Sequence, residues 1–107
     1  SLVAAFAAQA RPDIDSYFVD VLGWQGSERG DAAAAAQHLR TRHHVREIDG
    51  SQFRLADPDQ AGRIFATFDE PMSDAAIIPN WHLAALMKRD VGVALSGDGG
   101  DELFGGY

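Results

Sequence analysis

A chain of 107 residues with 46% apolar side chains is the right size for one folded domain and can readily build a core. Its net charge of −7, from nine basic and sixteen acidic residues, argues against nucleic acid or an anionic membrane as a partner. The absence of cysteine excludes disulfides, thiolate metal sites and cysteine nucleophiles in these residues, and no run approaches the roughly 20 apolar residues of a membrane span.

Helical and extended patterns alternate along the chain. The first apolar segment predicts a helix that ends before Pro12. The following elements are then expected in order: a strand over 17–22, a helix over 31–39 capped by Asp31, a strand over 43–48, a helix over 57–68 with Pro58 in its first turn, and a largely buried helix over 79–88. Strands separated by helices predict parallel pairing, and therefore an α/β fold with a doubly wound parallel sheet.

A short apolar run over 91–95 precedes the most informative part of the chain. This run is typical of a strand buried on both faces, and a short helix is expected over 101–104. In open parallel sheets, ligands bind beyond the carboxyl ends of the strands. The intervening loop contains Gly97, Gly99 and Gly100, which can take positive φ and expose backbone N–H groups to an anion.

Three carboxylates lie within five residues of one another in this loop, on Asp98, Asp101 and Glu102. They are enough to hold a hard cation or to act as a base. Acids beside phosphate-binding amides favour nucleotide chemistry with a metal that neutralises the charge between them. The same residues also suit an ordinary turn before a helix whose first-turn acids complement its dipole, so both interpretations stay open on composition alone.

The whole string from Ser96 to Tyr107 resembles the second nucleotide-site motif of the asparagine synthetase family, found in its carboxyl-terminal synthetase domain. The usual form there is Ser-Gly-Glu/Asp-Gly-Ser/Gly-Asp-Glu-Leu/Val-Phe-Gly-Gly-Tyr. Earlier segments resemble the same family in order. They are 1–5, like the continuation of its pyrophosphate loop into a helix; 17–21, like its second strand; 39–44, like Leu-Gly-Thr-x-His-His; and 69–79, like Asp-Glu-Pro-x-x-Asp-x-x-x-Ile-Pro.

This resemblance covers essentially the whole chain and implies that residues 1–107 are a fragment of one synthetase domain, whose pyrophosphate loop lies upstream of Ser1. The implied fold is a Rossmann-like sheet of the adenine nucleotide α-hydrolase type. The implied enzyme is a cytoplasmic ligase that uses ATP and Mg²⁺ to convert a carboxylate, aspartate in the simplest case, to an acyl-adenylate with release of pyrophosphate. Ammonia from glutamine, made by a glutaminase domain of the same chain, then displaces AMP.

The resemblance also implies roles for individual residues. Val19 would contact adenine through its backbone at the end of its strand, and Ser96 and Gly97 would line the adenylate. Asp98 occupies the acidic position implicated in forming the adenylate and handling the amine. Asp101 would bind Mg²⁺ beside pyrophosphate.

Two positions depart from the family's common pattern. Asp98 stands where asparagine synthetases often have glutamate, and Gly100 where they often have serine. The shorter acid reaches about one methylene less, enough to matter for a catalytic group. The acceptor could therefore be another carboxylate, such as a sugar acid. An alternative of a different class is a non-catalytic nucleotide-binding or assembly module.

The histidines and tryptophans are weaker candidates for a site. His43 and His44 are adjacent on a predicted strand, so they point to opposite faces and cannot chelate one metal. Trp24 and Trp81 are expected to pack against the protein rather than to stack on a base. The acidic segment 69–71 is either a solvated helix end or part of the acceptor side of the cleft.

Overall fold

The computed structural model describes residues 2–49, 51, 57–70 and 73–106. In this part of the chain, helices and strands follow in the order α1 (Leu2–Ala10), β1 (Asp15–Val21), α2 (Arg29–Leu39), β2 (Arg42–Ile48), α3 (Pro58–Phe65), α4 (Ile77–Met87) and α5 (Gly100–Phe104). None of the helices within these ranges has the length and apolar character needed to cross a membrane.

The two strands form a parallel pair. Their register places Asp15 opposite Arg42 at one end and Val21 opposite Ile48 at the other. Beyond β1, the backbone N–H of Leu22 donates to the carbonyl of Ile48 at 2.8 Å, which extends the ladder by one bond. Because α2 connects the strands, this is the parallel β-α-β arrangement expected from the alternating sequence pattern.

Helices pack on both faces of this pair. Asp20 points toward the amino-terminal end of α2, where it contacts Arg29. Tyr17 lies on the opposite face, because side chains alternate along a strand, and its hydroxyl donates to Asp90 just beyond α4 at 3.4 Å. The described residues therefore form an α/β layer on a two-stranded parallel sheet.

The apolar core lies mainly between α3 and α4. Ile64, Ile77 and Ile78 form a buried cluster, with Phe68 and Trp81 packed against it. Ile48, at the end of β2, is fully buried as well. Trp81 thus packs against the core, as its sequence context predicted.

The predicted burial of α4 nearly all round is wrong. The helix begins at Ile77, two residues before Pro79, so the proline still lies in the permitted first turn. Ala84 and Ala85 are exposed, whereas Ile77 and His82 are buried. In the described residues α4 packs against β1, β2 and α3, and the side of the helix turned away from them is open.

The starts of α2 and α3 test the helix-start signals found in the sequence. The prediction that Asp31 caps α2 is wrong, because the helix begins at Arg29 and Asp31 lies in its first turn. The start of α3 is confirmed: the Asp57 carboxylate accepts a hydrogen bond from the Asp59 N–H at 3.0 Å. That helix ends at Phe65, three residues earlier than predicted.

The predicted buried strand over 91–95 is also wrong for the described residues. This segment has no regular structure, and the exposed fractions of Val93 and Leu95 are 83% and 76%. A β-strand is completed by a hydrogen-bonding partner, and the β1–β2 ladder does not include this segment. Its apolar composition alone therefore did not determine its conformation.

Candidate functional site

The loop after 91–95 is held by hydrogen bonds between near neighbours. The Ser96 hydroxyl donates to Oδ2 of Asp98 at 2.9 Å, and the Asp98 N–H approaches the same hydroxyl oxygen at 3.4 Å. Both residues are exposed. The serine therefore orients the carboxylate of Asp98 in a solvent-exposed loop.

The glycines of this loop differ in conformation. Gly99 has a φ of +82° and immediately precedes α5, so a side chain here would strain the turn. Gly97 and Gly100 do not use the positive φ that is open to all three glycines. Instead, the Gly100 N–H donates to the Gly97 carbonyl at 3.1 Å, which closes a turn. That amide is used inside the loop, in contrast to the anion-binding role predicted for it.

Asp101 lies in the first turn of α5, and its carboxylate rests against Gly106, where a side chain would collide with it. The Gly106 N–H donates to the Asp101 carbonyl at 3.0 Å. In the described part of the chain, no three acidic or histidine side chains converge into a group able to hold a metal. The hard carboxylate oxygens of Asp98 and Asp101 nevertheless suit Mg²⁺ when phosphate oxygens and water supply the remaining ligands.

Val19 lies far from these residues along the chain. It is half-buried in β1, opposite Arg46 and two residues before the carboxyl end of the strand. Among the described elements, α5 makes no extensive contact with either strand. Ser96, Gly97, Asp98 and Asp101 thus lie near one another through chain proximity, whereas β1, which contains Val19, makes no extensive contact with α5.

A charged network that the sequence did not predict lies at the carboxyl end of β1. Asp20 is only 6% exposed. Its Oδ1 accepts from the Ser27 hydroxyl at 2.6 Å and its Oδ2 from Nη1 of Arg29 at 3.2 Å. Arg29 also pairs with Glu47, and these two carboxylates, Glu47 first, raise the pKa of the guanidinium. The network ties the loop over 22–28 to the end of the sheet.

The sequence contained one signal for this network, since Asp20 is an acid within the apolar stretch of β1. Its partners lie seven and nine residues later, in a loop and a helix. Nothing in local sequence rules specifies that distance. A buried carboxylate needs hydrogen-bond donors, however, so an unexplained strand acid is a reason to look for them.

A second polar cluster lies at the opposite end of the strands. The Arg42 guanidinium donates to both carboxylate oxygens of Asp15, at 2.9 and 2.7 Å. Nε2 of His44 lies 2.8 Å from the same carboxylate, and its ring stacks on Tyr17 with a centroid distance of 4.8 Å. Arg42 and then His44 hold the pKa of Asp15 well below its usual range. This cluster joins β1 to β2 at the end of the sheet remote from a carboxyl-end ligand site.

His43 belongs to the other face of the sheet. Its Nδ1 lies 2.9 Å from the Ser16 hydroxyl, which in turn lies 2.7 Å from the hydroxyl of Thr41. Burial, followed by the nearby charge of His44, lowers the pKa of His43. The two adjacent histidines therefore have separate partners on opposite faces, as predicted.

The segment resembling an acceptor-side motif is only partly described, because Pro71 and Met72 lie outside the described residues. Asp69 and Glu70 are exposed. Further along, the Asp74 carboxylate accepts from the Ala76 N–H at 2.8 Å just before α4. That bond gives Asp74 a structural role at the start of the helix.

Comparison with known proteins agrees with the motif in this loop. The family model for asparagine synthase matches residues 1–107. The chain belongs to the asparagine synthase family. No solved structure matches it at a significant level.

Curated relatives support the same assignment. The chain is 33% identical over 107 residues to asparagine synthetase (glutamine-hydrolyzing) 1 of Bacillus subtilis, covering 100% of this chain and 16% of that protein. Among the relatives described as putative asparagine synthetases (glutamine-hydrolyzing) are two from other organisms. The protein from Mycobacterium tuberculosis H37Rv is 33% identical to this chain, and the match covers 98% of this chain and 16% of that protein. The protein from Methanocaldococcus jannaschii is 48% identical, and the match covers 89% of this chain and 18% of that protein. The chain thus spans less than one fifth of the length of these relatives.

Proposed function

We propose that this chain is a segment of the synthetase domain of an ATP-dependent, amide-forming ligase of the asparagine synthetase type. The observation that carries the proposal is the family match over 1–107 together with the exposed loop around Asp98, where a hydroxyl orients a carboxylate. In this proposal the intact protein includes a glutaminase domain and works in the cytoplasm, where ATP and glutamine are available.

The same proposal extends to the fold. We infer that β1 and β2 belong to a larger doubly wound, Rossmann-like sheet, since they are parallel and have helices on both faces. Ligands of such sheets bind beyond the carboxyl ends of the strands. For this chain that edge is where Val21 and Ile48 end their strands.

The reaction begins with attack of an acceptor carboxylate oxygen on the α-phosphorus of ATP. An acyl-adenylate forms and pyrophosphate leaves. Ammonia then attacks the acyl carbon, the bond to AMP breaks, and a proton is lost from the nitrogen. In our assignment Ser96 and Gly97 line the adenylate, and Asp98 acts on the reacting groups as the acid–base residue. Val19 would contact adenine through its backbone.

Asp101 is the residue that we assign to Mg²⁺. When bound, the ion would neutralise negative charge on the phosphates and so favour departure of pyrophosphate. The carboxylate is exposed at the start of α5, close along the chain to Asp98. The same carboxylate lies against the backbone at Gly106, where there is no side chain to displace it.

The acceptor is the least constrained part of the proposal. Aspartate is the simplest acceptor, given the names of the relatives. Asp98 in place of glutamate and Gly100 in place of serine alter the loop beside the reacting groups. A sugar acid or another carboxylate is therefore the second candidate acceptor.

The test is a pyrophosphate-release assay on the intact protein with ATP, Mg²⁺ and glutamine. Aspartate and a panel of sugar acids would be supplied one at a time. We expect release that depends on one acceptor and yields AMP and the amide in equal amounts. Binding of ATP without pyrophosphate release for any acceptor would instead support the non-catalytic module.

A further inference from the structure

Trp24 lies in the loop directly after β1 and is 63% exposed. The sequence predicted a packing role for it, as for Trp81, and for Trp24 that prediction is wrong. A tryptophan this exposed contributes little to the core. An exposed aromatic ring offers a flat apolar face on which a base can stack, as aromatic side chains do in proteins that bind single-stranded nucleic acid.

The indole ring of Trp24 is held in place by a glycine. A Cβ added to Gly26 would come within 2.8 Å of Cζ2 and 2.9 Å of Cε2 of the indole. The ring therefore lies on the backbone at Gly26, which supports part of its surface and leaves the rest exposed. Alanine at this position would force the ring to move.

The backbone around the tryptophan is also held. The Trp24 N–H donates to the Val21 carbonyl at 3.2 Å, and the Ser27 N–H donates to the Trp24 carbonyl at 3.3 Å. Ser27 is bonded through its hydroxyl to the buried carboxylate of Asp20. Because Asp20 is part of β1, the tryptophan is placed at a defined position beyond the carboxyl end of the strand.

We propose that Trp24 is a base-binding residue that stacks on the adenine of ATP and positions it at the carboxyl end of β1. This inference rests on the proposed function, which places ATP at that edge. The supporting observations are the exposed indole, its support on Gly26, and the bond from Ser27 to Asp20 that anchors the loop. The residue acts on binding of the nucleotide and not on the chemical step.

The test compares Trp24→Ala and Trp24→Phe with wild type in the intact protein. We expect Trp24→Ala to raise the KM for ATP roughly 5- to 100-fold, the range for loss of one base–aromatic stack, with kcat within about twofold. The KM for ATP of Trp24→Phe should lie much closer to that of wild type than to that of Trp24→Ala. Inhibition by inorganic tripolyphosphate, which has no base, should stay unchanged, whereas a general distortion of the site would weaken it.

A pair of glycine substitutions provides the matched control. Gly26→Ala should raise the KM for ATP in the same direction, because the new methyl group displaces the ring. Gly30→Ala, in the first turn of α2, meets no atom within 4 Å and should leave the KM unchanged. Equal KM values for Gly26→Ala and wild type would show that the position of the ring does not matter and would overturn the proposal.

Equilibrium binding separates this inference from the proposed function. ATP should quench the part of the tryptophan emission that Trp24→Phe removes, whether or not pyrophosphate is released. Quenching without turnover would support the inference and contradict the ligase. Turnover with an ATP KM for Trp24→Ala within twofold of wild type would support the ligase and overturn the inference.

Discussion

The sheet region (β1, α2, β2 and α4) and the terminal segment over 91–106 are stabilised in different ways. The sheet region has a parallel ladder, the fully buried Ile48 and a carboxylate, Asp20, enclosed by donors from distant positions. In the terminal segment, the hydrogen bonds of the loop join residues two or three positions apart, and four large apolar side chains are exposed. Those side chains are Val93, Leu95, Leu103 and Phe104, with exposed fractions of 76–86%.

This difference between the two regions predicts which substitutions change stability and which change function. Turn and helix-start chemistry in the terminal segment depends on nearby residues, so a short string such as 96–104 can be recognised without its surroundings. The sheet region uses common apolar residues whose importance follows from burial. Substitutions in the sheet region should therefore act on the free energy of unfolding, and substitutions in the terminal segment on turnover.

The largest effect is expected from Asp98→Asn in the intact enzyme. Loss of an acid–base group should lower kcat by about 100-fold or more, with a much smaller change in the KM for ATP. Steady-state pyrophosphate release gives both constants. Asp31→Asn, an exposed first-turn acid of α2, is the control and should retain activity. A kcat for Asp98→Asn within about twofold of wild type would contradict the assigned role.

Asp101→Asn sharpens the comparison within the same segment. If Asp101 binds the metal, the variant should fold normally and need about tenfold or more Mg²⁺ for half-maximal activity, since loss of even an outer-shell partner costs 10–100-fold in metal affinity. If it only complements the dipole of α5, the stability change is about 0.3–1 kcal/mol and activity stays nearly intact. A Mg²⁺ titration of pyrophosphate release by wild type and Asp101→Asn distinguishes the two roles. If the two curves coincide, only the dipole role remains.

Truncation of buried and exposed apolar side chains tests the comparison directly. Ile48→Ala removes a fully buried side chain from the end of β2 and should lower the free energy of unfolding by about 2–5 kcal/mol. Leu95→Ala, at 76% exposed, should cost no more than about 0.5 kcal/mol. Urea unfolding of the intact protein measures both. A similar loss for the two variants would show that the terminal segment is packed as firmly as the sheet.

The smallest effect concerns pH and His43. Because burial lowers the pKa of His43 in the folded state, its neutral form is favoured there. Its contribution to stability is complete above the unfolded pKa of about 6.5 and is lost as the pH falls through the lower folded pKa. Between pH 7.5 and pH 5.5, the free energy of unfolding measured in urea should fall more for wild type than for His43→Gln. Equal losses would exclude His43 as the source.

Features built from neighbouring residues were predictable from the sequence. Asp57 caps α3 through a residue two positions away, and Gly99 supplies the left-handed turn before α5. Both strands were also placed to within two residues at each end, because β-branched and aromatic residues are typical of half-buried pleated structure. The motif over 96–107 indicated the family for the same reason, since its turn chemistry lies in one continuous string.

Features that depend on distant partners were decided only by the tertiary structure. The run over 91–95 has the composition of a buried strand, yet a strand needs a ladder, and β1 and β2 pair with each other. Asp20 looked like an interruption of β1 until Ser27 and Arg29 were brought to its carboxylate. Trp24 was expected to pack against the protein, yet its side chain is 63% exposed, because burial is set by the elements that pack around a residue and not by its own hydrophobicity.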